Sequence, residues 1–185
     1  MKSRTMEPIP YDINQIRSEA QKSISDGAVT ADYPLDLTIA CKLLNDALAT
    51  EILCVLRYRH HQIIATGIDC IQVAAEFEEH ALEEEQHMLM IGERINQLGG
   101  NPDFNPATVM ARTATEFGTG TDLEALIKED LIAERIAIMV YRKLIDWFGD
   151  QDPTTRRMLE HILEEEEEHA NDLADLLPLK SNYRN

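Results

Sequence analysis

The sequence predicts an all-α protein built on four long helices, and three observations predict it. Aromatic residues make up only 5% of the chain, and no proline and few glycines interrupt the stretch between Leu35 and Gly99, where a sandwich or barrel would show frequent turns. Apolar residues recur at spacings of three and four, as a helix with one buried face requires. The pattern Glu-x6-Tyr-x25-Glu-x2-His at Glu51, Tyr58, Glu84 and His87 returns at Glu134, Tyr141, Glu166 and His169 with one residue deleted, the copies being offset by 83, 83, 82 and 82 residues. A duplicated helix pair closing on itself accounts for such a repeat.

Residues 1–33 hold Pro8, Pro10 and Gly27 around a weakly periodic stretch from Ile13 to Ile24, which predicts an N-terminal extension with a short helix. A first long helix is expected from Leu35 to near Gly67, with Leu37, Cys41, Leu44, Leu48, Ile52 and Val55 on its apolar face. A second should run from about Asp69 to Leu98 and stop at Gly99-Gly100, a strong C-terminal signal. The connection from Asn101 to Gly120 contains two prolines and two glycines and is too long for a tight turn, so it is expected to carry the chain along the length of the bundle. Thr121 with Glu124 suggests a capping box for a third helix ending at Phe148. Gly149 to Pro153 breaks it, and a fourth helix follows from Pro153 to Leu176. The domain expected at 34–178 leaves residues 179–185 as a C-terminal tail.

At 185 residues, with 44% hydrophobic and 28% charged side chains, the chain has the composition of one globular domain with a buried core. Its formal net charge of −17 repels phosphate and attracts cations. Lys2, Arg4, Arg17 and Lys22 are balanced by Glu7, Asp12, Glu19 and Asp26, so no basic arm is present and DNA binding is not expected. No apolar stretch follows the N-terminal charges as in a leader, and none approaches the roughly 20 residues a spanning helix needs. No membrane partner is therefore expected, and the cytoplasm is the expected location. Cys41, Cys54 and Cys70 form no Cys-x-x-Cys pair, and are read as reduced core thiols.

The informative anomaly is a carboxylate on an apolar stripe. Glu134 lies in register with Leu123, Ile127, Ala137, Leu144 and Phe148, and Glu51 with Leu44, Leu48 and Val55. An ionised Glu buried there must be protonated, paired or metal-bound. The i, i+3 spacing sets Glu84 beside His87, and Glu166 beside His169, on one helical face. Four carboxylates with one imidazole per ion suit two iron or manganese ions better than a structural zinc site, which prefers thiolates and imidazoles. Taken alone, either Glu-His pair fits a solvated acidic face, since Glu83 and Glu165 offer a competing i, i+4 register. The repeat of both pairs with a core Glu and a Tyr decides for a metal site. Asp130 is expected to support a ligand imidazole. The hydroxyls of Tyr58 and Tyr141, which are mainly packing residues, can bond the ligand carboxylates. His60, His61, His80 and His161 lack this pattern and read as surface or hydrogen-bonded histidines, His80 being the one placed to approach the site.

At these residues the sequence resembles the ferritin-like superfamily, and most closely the bacterioferritins and Dps-like miniferritins, over about Leu35 to Leu177. Leu44-Asn45-x2-Leu48-x2-Glu51 with Tyr58 is similar to the first-helix motif, Glu84-x2-His87 to the second, Asp130-Leu131-x2-Glu134 to the third and Glu166-x2-His169 to the fourth. The resemblance implies a four-helix bundle with a long crossover between its second and third helices, and a shell of identical subunits. It implies two iron ions per subunit, bridged by Glu84 and Glu166, with Glu51 and Glu134 as terminal carboxylates and one ion each on His87 and His169. The haem-ligating Met of bacterioferritins is replaced by Glu85, and Met88 and Met90 lie at other helical angles, so haem is not expected. The N-terminal extension, and the absence of a fifth helix in Pro178–Asn185, favour a shell of 12 subunits over 24. Dps proteins hold their metals between subunits, whereas all six ligands here lie in one bundle.

The activity so implied is a ferroxidase that oxidises Fe²⁺ with O₂ or H₂O₂ and stores the iron within the shell. Two rivals use the same residues: a manganese catalase or other di-metal oxidase, and a non-enzymatic acidic scaffold bundle.

Overall fold

The computed structural model describes residues 11–22 and 24–177. It contains, in order, α1 (Ile13–Glu19), α2 (Leu37–Ile64), α3 (Ile71–Gln97), α4 (Pro106–Arg112), α5 (Leu123–Phe148) and α6 (Pro153–Leu176), with no strand among the described residues. Among the described residues, those up to Tyr33 and those from Pro34 onward form two compact units. The expected tail at 179–185 and the first ten residues of the extension lie outside the described residues. Within the extension, Asp12 caps α1 by accepting from the Asn14 amide at 2.8 Å, and α1 buries no residue. It ends at Glu19, within the weakly periodic stretch, and a 3₁₀ turn, Ile24–Asp26, follows.

Three of the four long helices start on an aspartate, while α3 follows Cys70 with no side-chain cap. Asp36 accepts from the amides of Thr38 and Ile39 at 2.8 and 3.0 Å to begin α2, and Asp152 accepts from the Thr155 amide at 2.9 Å just before Pro153 begins α6. These bonds satisfy amides that a first turn leaves without helical partners. The capping box expected from Thr121 and Glu124 is not formed. Asp122, one residue closer, accepts from the Ala125 amide at 3.0 Å, and Glu124 pairs with Lys128 one turn along α5. At the end of α3, Gly99 takes φ 79° and the Gly100 amide donates back to the Ile95 carbonyl at 2.9 Å, a stop that favours glycine. A Cβ on Gly100 would lie 2.6 Å from Cys41 Sγ, so the end of α3 abuts the start of α2.

The antiparallel hairpins α2–α3 and α5–α6 pack together, α2 against α5 and α3 against α6. The 101–122 crossover runs along α2. Asn45 Oδ1 accepts from the Asp103 amide at 2.7 Å, Thr50 Oγ1 from the Ala114 amide at 3.0 Å, and Arg57 donates to the Glu116 carbonyl at 3.0 Å. These ties rise turn by turn along α2 and deliver α5 to the far end, so α5 runs parallel to α3. Composition alone gave no sign of α4 within this connection. Asn105 caps it, Pro106 occupies its first turn, and Val109 packs on Ala49 and Leu53 of α2.

One apolar cluster, Tyr58, Val73, Phe77, Ala81, Leu126, Ile127 and Leu173, draws on all four long helices. Burial of a side chain such as Phe77 or Leu173 stabilises the fold by about 1.5–3 kcal/mol. Cys41, Cys54 and Cys70 are free thiols, of which only Cys54 is fully buried. None of the described helices is long and apolar enough to cross a membrane.

Candidate metal centre

Helix periodicity brings the six singled-out side chains to one buried place. Glu51 comes from α2, Glu84 and His87 from α3, Glu134 from α5, and Glu166 and His169 from α6; each is at most 2% exposed. His87 Nδ1 lies 3.6 Å from Glu51, 3.4 Å from Glu84 and 3.2 Å from Glu166. His169 Nδ1 lies 3.8 Å from both Glu84 and Glu134. Two donor sets result, Glu51, Glu84, His87 and Glu166 in one and Glu84, Glu134, Glu166 and His169 in the other.

The atoms lacking hydrogen bonds test whether these sets fit metal. Both oxygens of Glu84 and of Glu166, one oxygen each of Glu51 and Glu134, and Nδ1 of both histidines are buried without a hydrogen-bond partner. A buried polar atom so left costs about 1–3 kcal/mol, and more when charged. So many converging on one point is the arrangement expected of ligand atoms. The residues fit two hard-to-borderline cations. Glu84 and Glu166, shared by both sets with two free oxygens apiece, can each hold two ions. Glu51 and Glu134, each with one oxygen engaged elsewhere, can hold one.

A second ring of bonds orients this first one. Tyr58 of α2 donates to Glu134 of α5, and Tyr141 of α5 donates to Glu51 of α2. His87 Nε2 bonds Glu165 of α6, and His169 Nε2 bonds Glu83 of α3, both at 2.7 Å. Each bond crosses to the opposite helix, as the internal repeat requires. With Nε2–H donating to a carboxylate, Nδ1 of each ring turns its lone pair toward the centre when the imidazole is neutral.

With protons as the only cations available, charge in the centre is balanced by protonation. Burial, then the neighbouring carboxylates, push Glu84 and Glu166 well above the usual carboxylate range. Burial acts on Glu51 and Glu134 in the same sense, but the close approach of Glu84 and His87 to the first, and of Glu166 and His169 to the second, outweighs it and holds both low. Burial disfavours the imidazolium forms, yet the surrounding glutamates raise His87, and Glu134 foremost holds His169 at about 9. His80 moves the other way, to about 3, through burial and then the charge of His169.

The Tyr58 and Tyr141 hydroxyls bond the carboxylates as expected, while Glu83 and Glu165 orient the rings rather than joining the donor sets. Asp130 does not support a ligand imidazole. It accepts from Arg57 Nε at 2.7 Å and bonds His61 Nδ1 at 2.7 Å, with all three residues buried, because a turn earlier on α5 faces α2 rather than α3 or α6. Arg57 was missed; its one signal is an arginine on a stretch whose neighbours are buried. His61 is hydrogen-bonded as read, and His161 is more than half exposed. His80 reaches the centre, its ring stacked on His169 with centroids 4.1 Å apart.

The chain is similar to several known proteins. The chain is 31% identical over 142 residues to a nutrient stress-induced DNA-binding protein of Synechococcus, a match covering 74% of this chain and 80% of that one. Among solved structures it is similar to a dodecameric thioferritin, the bacterioferritin-related protein of Bacteroides fragilis, with 34% identity, a TM-score of 0.73 and coverage of 76% of this chain and 85% of that one. It is also similar to the bacterioferritin of Desulfovibrio desulfuricans, solved with its diiron site in different catalytic states, with 25% identity, a TM-score of 0.67 and coverage of 76% and 78%. The ferritin-like domain model matches residues 41–180, a span that holds all six convergent side chains, and the chain belongs to that family.

Proposed function

We propose that the protein is a ferroxidase of the cytoplasm, oxidising Fe²⁺ with O₂ or H₂O₂ at a two-iron centre inside one bundle and storing the iron in a homo-oligomeric shell, 12 subunits being favoured over 24. The observation that carries this reading is the convergence of free carboxylate oxygens and imidazole Nδ1 atoms into two donor sets sharing Glu84 and Glu166. In it Glu51 and His87 would hold one ion, Glu134 and His169 the other, and Glu84 and Glu166 would serve both. When bound, the iron ions supply the electrons that reduce the oxidant. The tyrosine hydroxyls keep Glu51 and Glu134 aimed inward, Glu83 and Glu165 keep the imidazoles in register, and protons leave Glu84, Glu166 and the histidines as cations arrive. The net charge of −17 raises the local concentration of Fe²⁺.

Assembly is supported by apolar side chains left exposed on the bundle helices, including Leu56, Leu82, Ile132 and Met139, and by the dodecameric state named for the Bacteroides protein. DNA binding is named for the Synechococcus relative; the acidic balance of this chain opposes it, and it forms no part of the proposal.

The test is ferric absorbance after Fe²⁺ addition to the assembled protein under O₂ and under H₂O₂. Glu84→Ala and His169→Ala should each lose at least tenfold in initial rate, the scale on which weakened metal ligation acts. Wild-type rates in both variants refute the assignment. Peroxide disproportionation by a manganese-loaded protein that accumulates no iron would establish the rival catalase.

A further inference from the structure

We propose that Glu76, His80 and Asp172 bind a further divalent cation at the edge of the two-metal centre and stage it for entry; the staging role, though not the binding, rests on the ferroxidase reading. Glu76 and His80 stand one turn apart on α3, and Asp172 follows His169 by three residues on α6. His80 Nε2 lies 3.4 Å from a Glu76 oxygen and 4.0 Å from an Asp172 oxygen, and one donor atom from each residue falls within 4.8 Å of the others. The two acid side chains are 30% and 45% exposed while that of His80 is 2% exposed, so the group reaches from solvent to the buried centre.

The hydrogen bonds fix which nitrogen of His80 is free. Tyr58 spends its proton on Glu134, so its oxygen accepts at 3.2 Å from His80 Nδ1, which places the ring proton on Nδ1. Nε2 is then a lone pair, without a hydrogen bond among the described residues, directed at two carboxylates. Three electron-rich atoms facing one another repel unless a cation lies between them. One imidazole and two carboxylates form a donor set suited to Fe²⁺, Mn²⁺ or Co²⁺. The ring itself stacks face to face on His169 at an angle of 23°, so a cation at its Nε2 edge would sit one ring away from a side chain of the centre.

The internal repeat supplies an independent check. Shifting Glu76 and His80 forward, and Asp172 back, by the 82-residue offset gives Met158, Ile162 and Met90. Two sulfurs and a buried Ile offer nothing to a hard cation. The group is thus not a by-product of the duplication that builds the centre. It stands on one side only, and cation entry is one-sided.

The experiment is an anaerobic Co²⁺ titration of the assembled full chain, followed by anomalous diffraction from Co²⁺-loaded crystals. Wild type should show Co²⁺ beside His80 as well as among the six ligands, and Glu76→Gln/Asp172→Asn should lose the first and keep the second, binding one Co²⁺ fewer per chain. Both substitutions are at partly exposed carboxylates, so the fold is retained. Co²⁺ among the six ligands with none beside His80, or unchanged stoichiometry in the double variant, overturns the inference. Co²⁺ beside His80 with none among the six ligands refutes the two-metal reading and upholds the site.

Discussion

Replacing Glu84 by Gln should separate what the centre costs the fold from what metal returns to it. Glu84 is fully buried, and burial together with Glu51 and Glu134 keeps its carboxyl protonated when no metal competes. Gln is close to an isostere of that neutral acid, so the chelated variant should lie within about 1 kcal/mol of the wild type. The same side chain belongs to both donor sets, so its loss weakens both cation positions. Each cation held at about a hundred times its Kd stabilises the folded state by about 2.7 kcal/mol, giving roughly 5 kcal/mol for two. At about 2–4 °C per kcal/mol for a chain of this size, Mn²⁺ should raise the wild-type Tm by about 10–20 °C, and that of Glu84→Gln by less than about 5 °C. Calorimetry of chelated and Mn²⁺-loaded protein measures both quantities. A chelated variant melting more than about 5 °C below the wild type would make Glu84 a structural residue, and an undiminished Mn²⁺ response would remove it from the ligand set.

Three further outcomes follow from the buried charges. Asp130→Ala leaves the Arg57 guanidinium without its carboxylate and His61 without its partner; breaking such a buried pair costs about 3–5 kcal/mol, and a loss below about 1 kcal/mol in urea unfolding would refute the pairing. The second concerns pH. His169 is raised from 6.5 to about 9, so its stabilisation is complete below about pH 6.5 and is lost as pH rises through 9; the raised Glu84 and Glu166 also lose stability as pH rises above the ordinary carboxylate range. The Tm of chelated protein should therefore fall between pH 6.5 and 9, and a rise would contradict the protonation scheme. Because the same protons must leave for a cation to bind, Co²⁺ uptake at pH 7 should release protons and its affinity should weaken on acidification, which calorimetry in two buffers of different ionisation heat measures.

Helix identity was legible because it is a local property. The apolar spacing of α2, α3, α5 and α6, the glycine stop at Gly99-Gly100 and Pro153 at a first turn each act within a few residues. Boundaries were less legible where two caps compete, as Thr121 and Asp122 do, since the outcome depends on which side chain reaches a free amide. The short α4 was hidden because its one buried residue, Val109, acquires meaning only against Ala49 and Leu53. For the six convergent side chains the repeat supplied what periodicity could not. An acid at a core position twice, each with a tyrosine seven residues later, is improbable as a surface pattern.

Helices, the internal duplication and the six inward-turning side chains follow from spacing along one chain. Their partners were set by packing between helices. Glu165 orients His87 and Glu83 orients His169, Tyr58 and Tyr141 each reach the opposite helix, Asp130 is committed to Arg57 and His61, and His80 lies flat on His169. These are contacts between residues 69 to 90 positions apart along the chain. Their geometry is set by how the hairpins dock, and no local spacing encodes that.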